Sequence, residues 1–240
     1  MVSLYKDDFT VSDLQCDRFG RLKPSAICWL VQEMAGRHCL LLGLDWASLA
    51  KKGMFWAILR HRIEVKRMPR KDETIHVETW PMPTTRVAFP RNVVAFDEGG
   101  NELLRTTSVW VLMDMEKRAM VLPGKSGVDV PGVLLGGELS APGSLTPKTP
   151  EGHQGRTVRF TDLDLNGHMN NCRYLDWAAD LLPSDFHRDH SLVSATLGYL
   201  AEAKETDEMD LHYGSGEDGA LDLEILRQGQ RIFAARLDFT

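Results

Sequence analysis

Between Ser25 and Leu42 the apolar residues Ile27, Leu30, Val31, Met34, Cys39 and Leu42 recur at three- and four-residue spacing. That is the period of a helix with one buried face. Pro24 suits a first helical turn and Gly43 a left-handed stop, so the spacing predicts one long helix. FTVSD before it reads as a strand, and CDRFGRLK as a loop turning at Gly20. After the helix the period changes to two. FWAILRHRIEV, TIHVETW, RVAFPRNVVAFD and LLRTTSVWVLMD are rich in β-branched residues and are separated by MPRKDE, PMPTT and DEGGN. These are strands joined by turns.

Residues 123–152 lose both periods. Gly, Pro, Ser and Thr dominate there, which marks a linker or an irregular crossing segment. The opening grammar then returns: RTVRFTD as a strand, LDLNGHMNN as a loop, CRYLDWAADLL as a helix. ATLGYLAEAK, MDLHYGS, ALDLEILRQ and RIFAARLDFT follow as strands. Three segments match in the same order across the halves. FTVSD parallels RFTDL, KDETIHVET parallels TDEMDLHYG, and GNELLRTTSVW parallels GQRIFAARLDF. The chain is read as an α+β protein with an internal repeat, each copy a helix and about five antiparallel strands. The expected units are 1–125, a linker over 126–152, and 153–240.

Composition narrows the function classes. Lys+Arg is 28 against 34 for Asp+Glu, a net charge of −6, which argues against a dedicated nucleic-acid binder. No apolar run approaches the roughly 18–20 residues of a membrane-spanning helix. MVSLYKDDFTVSD shows no basic segment followed by an apolar one, so no signal peptide and no stable membrane association are expected. Cys16, Cys28, Cys39 and Cys172 form no pair or cluster at zinc spacing. Free thiols in a reducing cytoplasm are the expectation.

The densest polar cluster is Thr161-Asp162-Leu163-Asp164-Leu165-Asn166-Gly167-His168-Met169-Asn170-Asn171. Asp162, Asp164, Asn166 and Gly167 match the first half of a calcium loop. Its twelfth position, however, is Arg173, a cation where the metal needs a carboxylate, so no metal is expected. Asn170 and Asn171 can cap the following helix, and Asp164 can hold a turn. The same residues also form a catalytic constellation. Asn166 offers an amide donor, His168 an imidazole, and a helix N-terminus favours a developing oxyanion.

DLDLNGHMNNCRY between a strand and a helix closely resembles the signature of plant-type and bacterial acyl-acyl carrier protein (acyl-ACP) thioesterases. GNELLRTTSVWVLMDMEKRAMVLP is similar to that family's first-domain strand pair, and SATLGYLAEA to its second-domain strand with an acidic residue. The resemblance implies two tandem hotdog domains, each an antiparallel sheet wrapped around a long helix. It implies Asp164, Asn166, His168 and Glu202 as catalytic residues and needs no cofactor. The plant enzymes carry Cys after that Glu; here it is Ala203, which leaves Cys172 as the only thiol beside the motif. The first copy has CDRFGRLKP where the second has the NGHMNN loop, and near the position of Glu202 it has Glu64, which is expected to lack partners. One active site per chain is therefore expected, in the second half, with the first half holding substrate. Glu202 acts either as base or as nucleophile.

The implied reaction is hydrolysis of acyl-ACP in fatty acid biosynthesis, with acyl carrier protein as partner. An acyl-CoA thioesterase of the same fold and a non-catalytic acyl-binding protein are the alternatives; a homodimer is compatible with each. A hotdog hydratase is disfavoured, because D-x-N-P-x-H has His three residues after Asn, whereas Asn166 and His168 are two apart. Residues 51–71 hold eight basic residues against the single acid Glu64. Such a patch suits an acidic carrier or a phosphate, with Arg67 and Arg70 as contacts. Trp56 and Met34 are expected to line the acyl-chain pocket, and Asn170 and Asn171 to border the substrate.

Overall fold

A computed structural model describes residues 3–146, 150–216 and 219–240. The first half runs β1 (Tyr5–Thr10), α1 (Pro24–Leu42), α2 (Trp46–Ala50), β2 (Met54–Val65), β3 (Thr74–Pro81), β4 (Phe89–Phe96), β5 (Glu102–Asp114), β6 (Met120–Val121) and α3 (Pro123–Ser126). The second runs β7 (Gly152–Thr157), α4 (Arg173–Ala179), α5 (Ser184–Asp189), β8 (Leu192–Tyr199), β9 (Glu208–Ser215), β10 (Leu221–Arg227) and β11 (Gln230–Phe239).

The strands form one antiparallel sheet in the order β1-β3-β4-β5-β2-β8-β11-β10-β9-β7, with β6 on β5. Read outward from the centre, the two halves have the same order, so the repeat seen in sequence is a repeat of topology. The halves meet where β2 pairs with β8, Ile63 opposite Ala195 and Arg60 opposite Gly198. Together this is the tandem hotdog arrangement.

α1 follows its sequence signals. Ile27, Leu30, Val31 and Met34 are at most 2% exposed, and Gly43 closes the helix at φ 68°. Burial of each of these side chains stabilises the fold by about 1.5–3 kcal/mol, so Leu30→Ala is the single change that would most weaken the helix–sheet contact.

The second half departs from expectation in its helix. CRYLDWAADLL forms only the seven-residue α4 before the chain breaks and restarts as α5. Pro183 is the cause: its ring removes an N–H and disfavours helical geometry in the residue before it. Strand ends also differ. β1 and β7 stop before FTVSD and RFTDL finish, and Asp13–Gln15 and Phe160–Asp162 become single 3-10 turns. β8 ends at Tyr199, so Glu202 lies beyond the strand.

Residues 127–146, after α3, cross the sheet without regular structure. Trp80 Nε1 donates to Glu138 (3.2 Å), Thr107 Oγ1 to the Leu139 carbonyl (3.0 Å), Arg62 to Ser140 Oγ (3.0 Å) and Arg60 to the Pro142 carbonyl (3.2 Å). Those partners sit on β3, β5 and β2. Covered by this strap as well as by the helix layer, β4 is buried at every position but its last.

Candidate active site

The polar loop between β7 and α4 is shaped by Asp164. Its Oδ1 accepts from the backbone N–H of Asn166 (2.8 Å) and of His168 (3.3 Å). Gly167 turns the chain at φ 73°, a conformation that only glycine adopts without strain. Asp164 N donates to the His168 carbonyl (2.8 Å), closing the loop on itself. Met169 N donates to the Ala203 carbonyl (2.8 Å), and His168 bridges to Lys204. These bonds fix the loop against the segment that carries Glu202.

The result brings two expected groups face to face. His168 Nε2 lies 3.4 Å from Glu202 Oε2. A third group, absent from the sequence reading, completes the cluster: Arg118 pairs with Glu202 through its guanidinium and stands 3.4 Å from His168 Nε2. At 3.4 Å neither contact to the imidazole is a tight hydrogen bond, and the tautomer decides which partner it takes. Arg118 comes from the first half, on the turn after β5. It has φ 50°, and the turn is held by Asp114 Oδ1, which accepts from Glu116 N (3.0 Å) and Lys117 N (2.8 Å). Its guanidinium covers the Phe55 ring at 4.9 Å. The only sequence signal was a charged hairpin turn, DMEKRA, and nothing local says that it reaches the other half.

Asp164, Asn166, His168, Glu202, Asn171 and Trp56 all line one cleft of about 290 Å³. Its apolar walls include Phe55, Tyr174 and Tyr199. The Asn166 side chain is exposed and makes no hydrogen bond among the described residues, so its amide is free for a ligand. Asn170 is not on the cleft; its Oδ1 accepts from Cys172 N (2.9 Å), the residue before α4, and so holds the turn that leads into the helix. With α4 only seven residues long and that N–H occupied, the helix end is a poor oxyanion donor. Cys172 is equally ill suited as a nucleophile, because burial, with Asp176 nearby, pushes its thiol up to about 12.

A second cavity, about 240 Å³ and mostly apolar, lies in the first half between α1 and the sheet. Trp56 borders both cavities; it stacks edge-on to Phe89 at 5.0 Å and donates to the Leu44 carbonyl. Met34 reaches neither. On α1 the face formed by Gln32, Ala35, Gly36 and Cys39 lines the cavity, while Met34 lies on the core face with Ile27, Leu30 and Val31.

Arg67 and Arg70 are not brought to the cleft either. Arg67 pairs with Glu73 and Asp97, and Arg70 is exposed near the far end of β2. Nor does Glu64 lack a partner or mirror Glu202. It pairs with Arg62 at 2.7 Å. The backbone bond Leu22 N to Pro69 O repeats Met169 N to Ala203 O, which makes Met68 the counterpart of Glu202.

Comparisons with known proteins follow the same division. The acyl-ACP thioesterase N-terminal domain profile matches residues 3–122 and the C-terminal domain profile residues 147–240. The chain is similar to the chloroplastic oleoyl-acyl carrier protein thioesterase of Coriandrum sativum, 28% identical over 239 residues, covering 86% of this chain and 61% of that protein. It is 29% identical over 188 residues to the chloroplastic palmitoyl-acyl carrier protein thioesterase of Gossypium hirsutum, covering 72% of this chain and 45% of that one. The chain thus spans less than two thirds of the length of these plant relatives. Among solved structures, an acyl-ACP thioesterase from Bacteroides thetaiotaomicron superposes with TM-score 0.89 over 99% of this chain and 98% of that one, at 24% identity, a likeness of fold.

Proposed function

Because the chain belongs to the acyl-ACP thioesterase family and carries both of its domains in order, we propose that it hydrolyses the thioester of acyl-ACP. The products are a free fatty acid and holo-acyl carrier protein, as in fatty acid biosynthesis. The observation that carries this reading is the cleft itself. A free amide, an imidazole and a carboxylate line it beside Trp56, which also borders a second, apolar cavity.

In the working mechanism the Asn166 amide binds the thioester carbonyl oxygen and stabilises the charge that develops on it. Water adds to the carbonyl carbon and passes a proton to His168. The C–S bond breaks, and the imidazolium returns that proton to the departing thiolate as the thiol forms. Glu202 orients His168 and stabilises its cation. Asp164 acts on the loop backbone and so positions Asn166 and His168. A carboxylate already held by Arg118 is a weak nucleophile, which supports water rather than Glu202 as the attacking group. The acyl chain runs past Trp56 into the first-half cavity. One chain completes the cleft, so the chemistry does not require a homodimer. Among the described residues no helix is long and apolar enough to cross a membrane, and the four unpaired cysteines suit a cytoplasmic enzyme.

A thiol-release assay on acyl-ACP and acyl-CoA over several chain lengths tests this reading. Turnover of acyl-ACP with a chain-length optimum is expected. No thiol release from any acyl-ACP would overturn it, and a clear preference for acyl-CoA would move the enzyme to the other carrier.

A further inference from the structure

The basic stretch 51–71 is not one patch in space. β2 spans its middle, and at about 3.3 Å per residue the ends of that strand are about 36 Å apart. At the Val65 end three of the four cations are already paired, and Arg70 is the exception among the described residues. Lys66 meets Glu102, Arg67 meets Glu73 and Asp97, and Lys71 meets Asp13; farther back on β2, Arg62 meets Glu64. At the Met54 end Lys51 and Lys52 are exposed and make no ion pair among the described residues. There the Gly53 carbonyl accepts from Met115 N (2.9 Å), which lays the 51–53 turn against the turn that bears Lys117 and Arg118. Lys117 is likewise exposed and without an ion pair. The Asp114 carboxylate accepts from the backbone N–H groups of its own turn and lies within electrostatic reach of Lys117 without forming a direct ion pair with it. Arg118, next along the chain, lines the catalytic cleft.

Resting on the thioesterase reading above, we propose that Lys51, Lys52 and Lys117 form the docking face for the acidic carrier protein. The three ammonium groups are spread over two turns beside the cleft mouth and line none of its walls. That distribution fits an extended acidic surface better than a single phosphate. The rest of the chain carries net negative charge, so an acidic partner is repelled from most approaches and drawn to this one. Docked here, the carrier delivers its thioester directly past Arg118.

The test compares Lys51→Glu/Lys52→Glu/Lys117→Glu with Arg67→Glu/Arg70→Glu on three substrates of one chain length: acyl-ACP, acyl-CoA and acyl-N-acetylcysteamine. The triple variant should raise KM for acyl-ACP about ten-fold and flatten the fall of kcat/KM with salt, the signature of screened surface charges. Its hydrolysis of acyl-N-acetylcysteamine, which has neither protein surface nor phosphate, should equal wild type and so report an intact site. The Arg67/Arg70 reversal should change KM for acyl-ACP less than two-fold. An unchanged KM in the triple variant overturns the docking face, and an equal rise for acyl-CoA reduces it to phosphate binding and overturns it too. An equal effect of the Arg67/Arg70 reversal overturns its location. Failure of the thioesterase reading is separate: wild type would then release thiol from none of the three.

Discussion

The same loop is built twice in this chain, and only the second copy carries the side chains on which the proposed chemistry rests. In the second half Asp164 Oδ1 accepts from Asn166 N and His168 N; in the first, Asp17 Oδ1 accepts from Phe19 N (2.8 Å) and Arg21 N (3.0 Å). Gly20 and Gly167 turn the two loops at φ 72° and 73°. The backbones are equivalent, but the side chains on them are not. Phe19 stands where Asn166 is, Arg21 where His168 is, and Met68 where Glu202 is. Arg21 also fills the space it faces, donating to the His187 and His190 carbonyls and to Ser191 Oγ (2.8 Å). About 30 Å³ of cavity is left beside Arg21 and Met68, against about 290 Å³ in the second half; the larger groove that Asp17 and Phe19 border reaches neither of those two side chains. The aspartate and the glycine thus belong to the fold, and the side chains of the proposed site are particular to the second copy.

The largest effects should come from the side chains that the first copy lacks. His168→Ala and Glu202→Ala are each expected to lower kcat by about 10²-fold or more, within the range of acid–base groups. Met68→Ala, at the first-copy position of Glu202, should cost stability through its lost burial but leave kcat within two-fold. Cys172→Ala should also keep its turnover, since its thiol stays protonated at working pH. Steady-state rates and thermal melts on the four proteins check this, and near-wild-type turnover in both His168→Ala and Glu202→Ala would remove the site from this cleft.

A smaller loss is expected across the seam. Arg118→Ala should lower kcat about ten-fold by freeing Glu202 from its only ion-pair partner besides His168 among the described residues. Arg118→Lys should recover part of it, because the charge returns without the planar fork. KM for a small thioester should hold in both. If KM rises and kcat holds, Arg118 binds substrate and does not position Glu202.

That arginine also marks where sequence reading stops. α1 and most strands were legible because burial on one face imposes a period, and the repeat because two copies share an order of elements. The polar loop of the candidate site stood out through Asn166, Gly167 and His168, and the roles proposed for them came from the family resemblance. Arg118 was not, because its partner Glu202 is 84 residues away and only the β2–β8 seam brings them together. The 51–71 patch misled for the converse reason. Linear charge density counts Arg67 and Lys71 as free, whereas folding pairs them with Glu73 and Asp13. The short α4 follows from Pro183, whose effect the apolar period outweighed in the reading.

The two aspartates offer a subtler split. Asp17→Ala and Asp164→Ala each strip two backbone N–H groups of their acceptor, so each should cost about 1–2 kcal/mol of stability. Asp17→Ala should cost the more, since Asp17 also pairs with Arg21 at 3.1 Å. Activity should separate them: a several-fold fall in kcat for Asp164→Ala and none for Asp17→Ala. Equal falls would mean that Asp164 matters only through global stability.

The smallest expected effect is from converting the silent copy. In a His168→Ala background, Arg21→His with Met68→Glu restores an imidazole and a carboxylate on an equivalent backbone. Residual turnover should nonetheless stay within two-fold of His168→Ala alone. Three features block it. Phe19 supplies no amide for a carbonyl oxygen. The facing wall holds no cation equivalent to Arg118; it presents the His187 and His190 carbonyls that Arg21 now satisfies. The cavity beside Arg21 and Met68, bordered by Leu192 and Phe239, is about 30 Å³, too small for a thioester, and the larger groove along Phe19 does not reach Met68. Removing Arg21 leaves those carbonyls without their donor, so the double variant should also melt lower. A clear gain of thiol release would show that side-chain identity alone separates the halves, and that neither cavity size nor Arg118 is required.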